Sequence, residues 1–140
     1  MTRGGFTPPC GSSRAVYEVG DAVEVRAFHV MPGMEGPEGQ RHSHDYRIEV
    51  AVEREELDDR GMVCDLDVLN DALGATADRV RDADLDVIRP PDAEAVTVEV
   101  FARWAYHVIA DAVRPSGAEM LTVRVWESAT AYGGYRAPLT

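Results

Sequence analysis

The sequence predicts an α+β domain, an antiparallel sheet with two helices packed on one face. Three observations carry that expectation. Runs near both ends of the chain alternate polar with β-branched residues, the two-residue period of a half-buried strand. Two central stretches repeat apolar residues every three or four positions, the period of a helix. The order is strands, then helices, then strands, which does not alternate as a parallel α/β fold would.

Residues 1–14, MTRGGFTPPCGSSR, hold turn formers without periodicity and read as a flexible N-terminal arm; residues 15–140 read as one domain. Ala15 to Val19 is expected as a short strand, Gly20-Asp21 as a turn and residues 22–30 as a second strand, together a hairpin. Residues 31–41, MPGMEGPEGQR, with three glycines and two prolines, read as a loop. A strand follows over residues 42–56 and a charged turn over 53–60. Asp65 is a suitable N-cap for a helix with Leu66, Leu69, Leu73, Ala77 and Val80 along its apolar side and Gly74 as its weak point. The Pro90-Pro91 pair ends that helical region. Thr97 caps a second helix, expected to reach Val113 and to bury Val100, Phe101, Trp104, Ala105, Val108 and Ala112; His107 stands beside that stripe. Met120 to Trp126 is a strand with Leu121, Val123 and Val125 on one face, and Thr130 to Tyr135 a final short strand.

The 140 residues fit one domain with a modest core. No apolar run reaches membrane-spanning length and no signal segment opens the chain, so a soluble cytoplasmic protein with no membrane partner is expected. The net charge of -11, spread along the chain, argues against nucleic acid as a partner. All fourteen basic residues are arginine, which excludes Schiff-base lysine chemistry and a Walker-type phosphate lysine. Cys10 and Cys64 do not make a disulfide framework, and Cys64 in its apolar run reads as a small core residue. A small sheet leaves exposed edges that joining copies would cover, so a homo-oligomer is expected.

The chemistry centres on Arg41-His42-Ser43-His44-Asp45-Tyr46. On a strand, His42 and His44 project to one face. His29 ends another strand-like run, and antiparallel pairing of the two runs brings it to the same place. Three imidazoles with an open fourth position describe a catalytic zinc better than a structural one. The competing reading of the His-x-His pair alone is two surface histidines at a strand start; the third histidine favours the metal.

Read together, these segments are similar to the 6-pyruvoyl-tetrahydropterin synthase / 6-carboxy-tetrahydropterin synthase family. Ala27-Phe28-His29 resembles its first zinc-ligand segment, and His42-Ser43-His44-Asp45-Tyr46 its His-Gly-His-Asn-Tyr. Gly61-Met62-Val63-Cys64-Asp65-Leu66 resembles its Gly-Met-Val-x-Asp-Phe, Leu85-Asp86 the start of its Leu-Asp-His, and Thr97-Val98-Glu99 its Thr-x-Glu. Val123 to Ser128 resembles the strand that ends in its pterin-anchoring glutamate, here Glu127. The resemblance implies a tunnelling fold: a four-stranded antiparallel sheet with two helices on one face, joined between copies into a barrel, as a homotrimer or homohexamer. It implies zinc held by His29, His42 and His44, and a pterin-like small-molecule substrate such as 7,8-dihydroneopterin triphosphate. Substrate contacts fall on Glu127 and Thr97. A pterin presents adjacent N–H donors that one carboxylate accepts together, which gives Glu127 a physical reason for the role.

The chain departs from the family at the proton relay. Glu38 stands where the family has its catalytic cysteine, and Val87 where it has the histidine that follows the catalytic aspartate, Asp86. Val96 and Val100 replace the family's Pro and Asn at the second helix start. A carboxylate serves as general base when its surroundings raise its pKa. A branch of the family carries glutamate at this position, and there the resemblance implies cleavage of the substrate side chain to leave 6-hydroxymethyl-dihydropterin. The alternative for Glu38 is a solvated loop glutamate, with Glu35 an equal candidate. Two other functions compete with the zinc lyase: the same scaffold turned to another small molecule in secondary metabolism, and a non-catalytic zinc- or pterin-binding relative. A triphosphate needs several cationic partners, and none of Arg41, Arg47, Arg89 and Arg103 is placed by sequence.

Overall fold

A computed structural model describes residues 14–140. Apart from Arg14, the expected arm lies outside the described residues. Four strands, β1 (Tyr17–His29), β2 (His42–Arg54), β3 (Met120–Trp126) and β4 (Tyr132–Pro138), form one antiparallel sheet in the order β1-β2-β3-β4. Two helices, α1 (Leu66–Val80) and α2 (Val98–Val113), stand between β2 and β3 in the chain. The inward residues of the sheet, Ile48, Val50, Val52, Leu121, Val123 and Val125, pack with Leu69, Leu73 and Val80 of α1 and Phe101, Ala105 and Ile109 of α2 in one core. Burial of such side chains, worth roughly 1.5–3 kcal/mol each, holds the layers together. No helix among the described residues is long and apolar enough to cross a membrane.

Both expected caps are present. The Asp65 carboxylate accepts the Asp67 N–H at 2.8 Å, and the Thr97 hydroxyl accepts the Val100 N–H at 3.1 Å. Four expectations need correction. The hairpin over 15–30 is one continuous strand, in which Gly20 pairs with Ala51. A Cβ on Gly20 would stand 2.6 Å from the Val50 carbonyl oxygen, so this glycine permits close strand approach and is not a turn. On α2 the fully buried residues are Phe101, Ala102, Ala105, Tyr106, Ile109, Ala110 and Val113. Trp104, expected at the centre, is only half-buried and turns toward α1, where Arg79 lies 5.5 Å from its ring. Leu66, at the first turn of α1, is largely exposed. The last strand also starts later and runs further than residues 130–135.

β2 outruns β3. Its pairing with β3 begins at Arg47–Trp126, whereas its pairing with β1 extends to His29–His42. Residues 42–46 therefore belong to a ribbon of two strands. The outer edge of β1 is tied there by the Phe28 N–H to the Ala83 carbonyl (2.9 Å) and the Asp82 N–H to the Arg26 carbonyl (2.8 Å).

Candidate metal and ligand site

Strand alternation puts His42, His44, Tyr46 and Ile48 on the helix-covered side of β2, the last two fully buried. His29 faces His42 across the β1–β2 ladder. The His29 and His42 ring centroids are 5.3 Å apart and those of His42 and His44 4.9 Å. All three Nε2 atoms are buried and, among the described residues, lack a hydrogen-bond partner. The His42 Nδ1 lies 2.8 Å from the Gln40 carbonyl oxygen. A carbonyl only accepts, so Nδ1 carries the proton and donates, leaving the Nε2 lone pair free, the arrangement found in metal-ligating histidines. Burial, and then repulsion from His42 and His44, holds the His29 imidazole below its ordinary pKa, so it is neutral at neutral pH. Unpartnered imidazole nitrogens gathered at one end of the sheet suit a zinc ion.

Glu38 reaches the same place from the loop. Among the described residues, the ligand atoms of Glu38, His42 and His44 lie within 4.8 Å of one another. The Glu38 carboxylate is 3.4 Å from the His42 Nε2 and its side chain is 55% exposed. The set whose ligand atoms come this close is Glu38, His42 and His44; His29 stands beside it, its ring centroid 5.3 Å from that of His42. Backbone geometry delivers Glu38. Gly36 has φ +77°, and a Cβ on Gly39 would fall 1.9 Å from the Met34 carbonyl oxygen, so both positions favour glycine. The Met31 N–H donates to the Glu38 carbonyl at 2.9 Å and closes the loop.

A cavity of about 240 Å³ opens beside the histidines, lined among others by His29, Glu38, Tyr46, Thr97, Glu99 and Glu127. The Glu127 N–H donates to the Ala131 carbonyl at 3.0 Å, so the tight β3–β4 turn holds its backbone. Burial first, then Glu127 and Glu38, pushes the Tyr46 phenol far above its ordinary pKa, so it remains a hydroxyl. Glu99 was not picked out by sequence beyond its place in the Thr-x-Glu match. Its carboxylate approaches β4 because Gly133 leaves room: a Cβ there would meet the Val98 methyl at 2.6 Å and the Glu99 carboxylate at 2.9 Å. Asp86, on a 3₁₀ turn at Leu85–Ile88, is exposed and does not line this cavity; its neighbour Val87 is 62% exposed. Glu35 does not line it either.

A second cavity, about 580 Å³, lies beside the overhanging end of β2 and is bordered by Glu24, His44, Asp45, Arg47, Glu49, Trp126 and Glu127. Glu127 borders both spaces. The Trp126 ring stacks on Tyr132 with centroids 4.4 Å apart, and its Nε1 is a buried donor without a partner. A further cavity, about 650 Å³, is lined by Arg47, Glu49, Arg124 and Arg136 among others and touches none of the histidines. Its lining holds no unpartnered imidazole, so the histidine end remains the better site.

A family model described as 6-pyruvoyl tetrahydropterin synthase matches residues 19–138. Among solved structures, the Plasmodium falciparum 6-pyruvoyl tetrahydropterin synthase is similar at TM-score 0.70 with 13% identity, covering 89% of this chain and 99% of that one. The Caenorhabditis elegans 6-pyruvoyl tetrahydropterin synthase is similar at TM-score 0.65 with 20% identity, covering 88% and 96%. A Plasmodium vivax 6-pyruvoyltetrahydropterin synthase with alanine in place of a catalytic glutamate is similar at TM-score 0.68 with 10% identity, covering 89% and 99%. No protein of curated function matches the chain significantly in sequence.

Proposed function

The chain belongs to the 6-pyruvoyl tetrahydropterin synthase family, and from that premise we propose that it is a zinc-dependent lyase acting on a dihydropterin, with Glu38 as its general base. The observation that carries the reading is the convergence of Glu38, His29, Thr97 and Glu127 on one cavity beside three unpartnered imidazole nitrogens. His29, His42 and His44 would hold the zinc, which supplies Lewis-acid polarisation of the side-chain oxygens of the substrate. A catalytic glutamate in the Plasmodium vivax relative supports a carboxylate in the role of base.

The roles follow from the chemistry of each group. Glu127 accepts the two N–H groups on the pyrimidine edge of the pterin and fixes its orientation. The Thr97 oxygen is occupied as a helix cap, but its O–H remains free to donate to the ring. Tyr46 stays protonated and offers a second hydroxyl donor at the cavity wall. Glu38 takes the proton from the 2′-hydroxyl of the substrate side chain. The C1′–C2′ bond breaks as the C2′ carbonyl forms, and the electron pair left on C1′ is delocalised into the adjoining ring imine. Return of the proton to C1′ leaves a hydroxymethyl group on the ring and releases the rest of the side chain as an aldehyde. Asp86 borders none of the cavities described above, so the relay role expected for it requires it to face the site of a neighbouring copy. The small volume of the cavity, below the roughly 300–1,000 Å³ of most ligand sites, favours a site completed by such a copy in the homotrimer or homohexamer we propose.

The test is incubation of zinc-loaded protein with 7,8-dihydroneopterin and with its triphosphate, with products identified by mass spectrometry. Glu38→Gln should bind zinc normally and turn over 10²–10⁴-fold more slowly, roughly the worth of a positioned base, while Glu35→Gln keeps its rate. An unchanged rate for Glu38→Gln removes Glu38 from the mechanism.

A further inference from the structure

Two of the three histidines follow residues that grip each other. Phe28 precedes His29, Arg41 precedes His42, and the ladder sets His29 opposite His42. The Arg41 guanidinium carbon stands 3.8 Å from the centre of the Phe28 ring, a close stack. The Arg41 Nε donates to the Asp84 carboxylate at 2.8 Å. Asp84 lies where the chain beyond α1 runs alongside β1: it forms an isolated bridge with Phe28, and the Phe28 N–H donates to the Ala83 carbonyl at 2.9 Å. Arg41 therefore joins the end of β1, the start of β2 and the turn Leu85–Ile88, whose Leu85 lines the histidine cavity. On its other flank, among the described residues, β2 has no strand partner before Arg47, so its first residues depend on β1 and on this brace. The ion pair alone would count for little, because its two side chains are 54% and 55% exposed. The aromatic ring beneath it makes the difference. A planar guanidinium seated on a ring face and bonded at its edge is fixed in two directions, unlike a free surface arginine.

We infer that Arg41 is a positioning residue for the metal site: through its stack on Phe28 and its bond to Asp84 it holds His29 and His42 at the spacing a metal ion needs. The inference rests on the zinc reading above and adds a residue that itself touches neither metal nor substrate. The same grip anchors the far end of the loop that carries Glu38, since Arg41 is the last residue before β2. Lysine keeps the charge but has no flat group to lay on the ring, so it is an incomplete substitute.

The test measures the zinc affinity of the full chain by competition with a chelator of known strength, beside the urea unfolding midpoint of the zinc-free protein. Arg41→Ala should weaken zinc binding by about fivefold, less than the roughly 10–100-fold typical of a group bonded directly to a ligand. The zinc-free midpoint should stay in place, because an exposed pair contributes little to the global fold. Arg41→Lys should recover part of the affinity. Asp84→Ala should also weaken binding, and the double variant Arg41→Ala, Asp84→Ala should lose less than the two single losses combined, as expected of residues that act together. Unchanged zinc affinity in Arg41→Ala overturns the inference and leaves the zinc reading standing. A loss of affinity matched by an equal loss of zinc-free stability overturns it too, since the arginine would then serve the fold alone. Failure of the unaltered chain to bind zinc overturns the zinc reading and the inference with it.

Discussion

A buried polar atom without a partner costs on the order of 1–3 kcal/mol, and this chain gathers three such imidazole nitrogens at one end of its sheet. That arrangement is sensible only if something else completes it. Protein purified without chelator should hold zinc near one per chain by elemental analysis, and His42→Ala should lose it. His107→Ala should retain it, because His107 is exposed on α2, beside Tyr106 and Tyr135 and away from the cavity. Equal zinc in both variants would sink the assignment. The pair of His42 and His44 was legible in the sequence because strand alternation alone puts them on one face. His29 was legible only through a guess that the two runs pair as antiparallel neighbours; the ladder shows that pairing and puts His29 opposite His42. Glu38 was placed by family likeness alone. Its approach to His42 depends on the dihedral angle of Gly36 and on the contact at Gly39, and neither is written in the pattern of the loop.

Elements carry the site in different ways. The histidines ride on a regular ladder, so their spacing is fixed by the strand repeat. Glu38 rides on a loop held by a few backbone bonds, among them Met31 N–H to the Glu38 carbonyl, and by a glycine with no room for a side chain. Gly39→Ala should therefore shift Glu38 while leaving the sheet and helices alone. Turnover should fall by about tenfold or more, the usual result of misplacing a catalytic group by an ångström. Far-ultraviolet circular dichroism should not change, and an unaltered rate would show that the loop yields freely. The helices were legible from periodicity and caps, and their boundaries fall at Asp65 and Thr97 as expected. The buried face of α2 was misjudged because two partners compete for it. The sheet takes Phe101, Ala105 and Ile109, while Trp104 turns to α1, and a periodicity argument has no means of dividing one stripe between two neighbours. The false hairpin has a similar origin: Gly20-Asp21 carries turn chemistry, and only the close approach of Val50 explains the glycine inside a strand.

At the scale of the molecule, the sheet has two unclosed sides. Among the described residues, the outer side of β4 has no strand beside it, and the outer side of β1 is tied only near Arg26 and Phe28. Tyr17 and Tyr132, on these two outer strands, are each about half exposed, at 53% and 49%. Joining copies side by side would satisfy such edges. Light scattering at micromolar concentration should give a multiple of the 15.3 kDa chain, most simply three or six, and a species of one chain alone would refute it. The plan of strands and helices was legible in the sequence. The distribution of charge around the cavities was not, because an acidic residue in a list does not announce which face of which strand it occupies. One asymmetry of the sheet bears on how the site behaves in time. Past Trp126, among the described residues, β2 has a neighbour on one side only, and a two-stranded ribbon is by itself a marginal structure in water. The backbone that bears His42 and His44 is therefore the part of β2 with the lowest local opening free energy, well below that of the four-stranded centre. Breathing at that corner would let a planar ring in and out without disturbing the core, so the rate of exchange at the site and the cooperativity of the fold can be set separately.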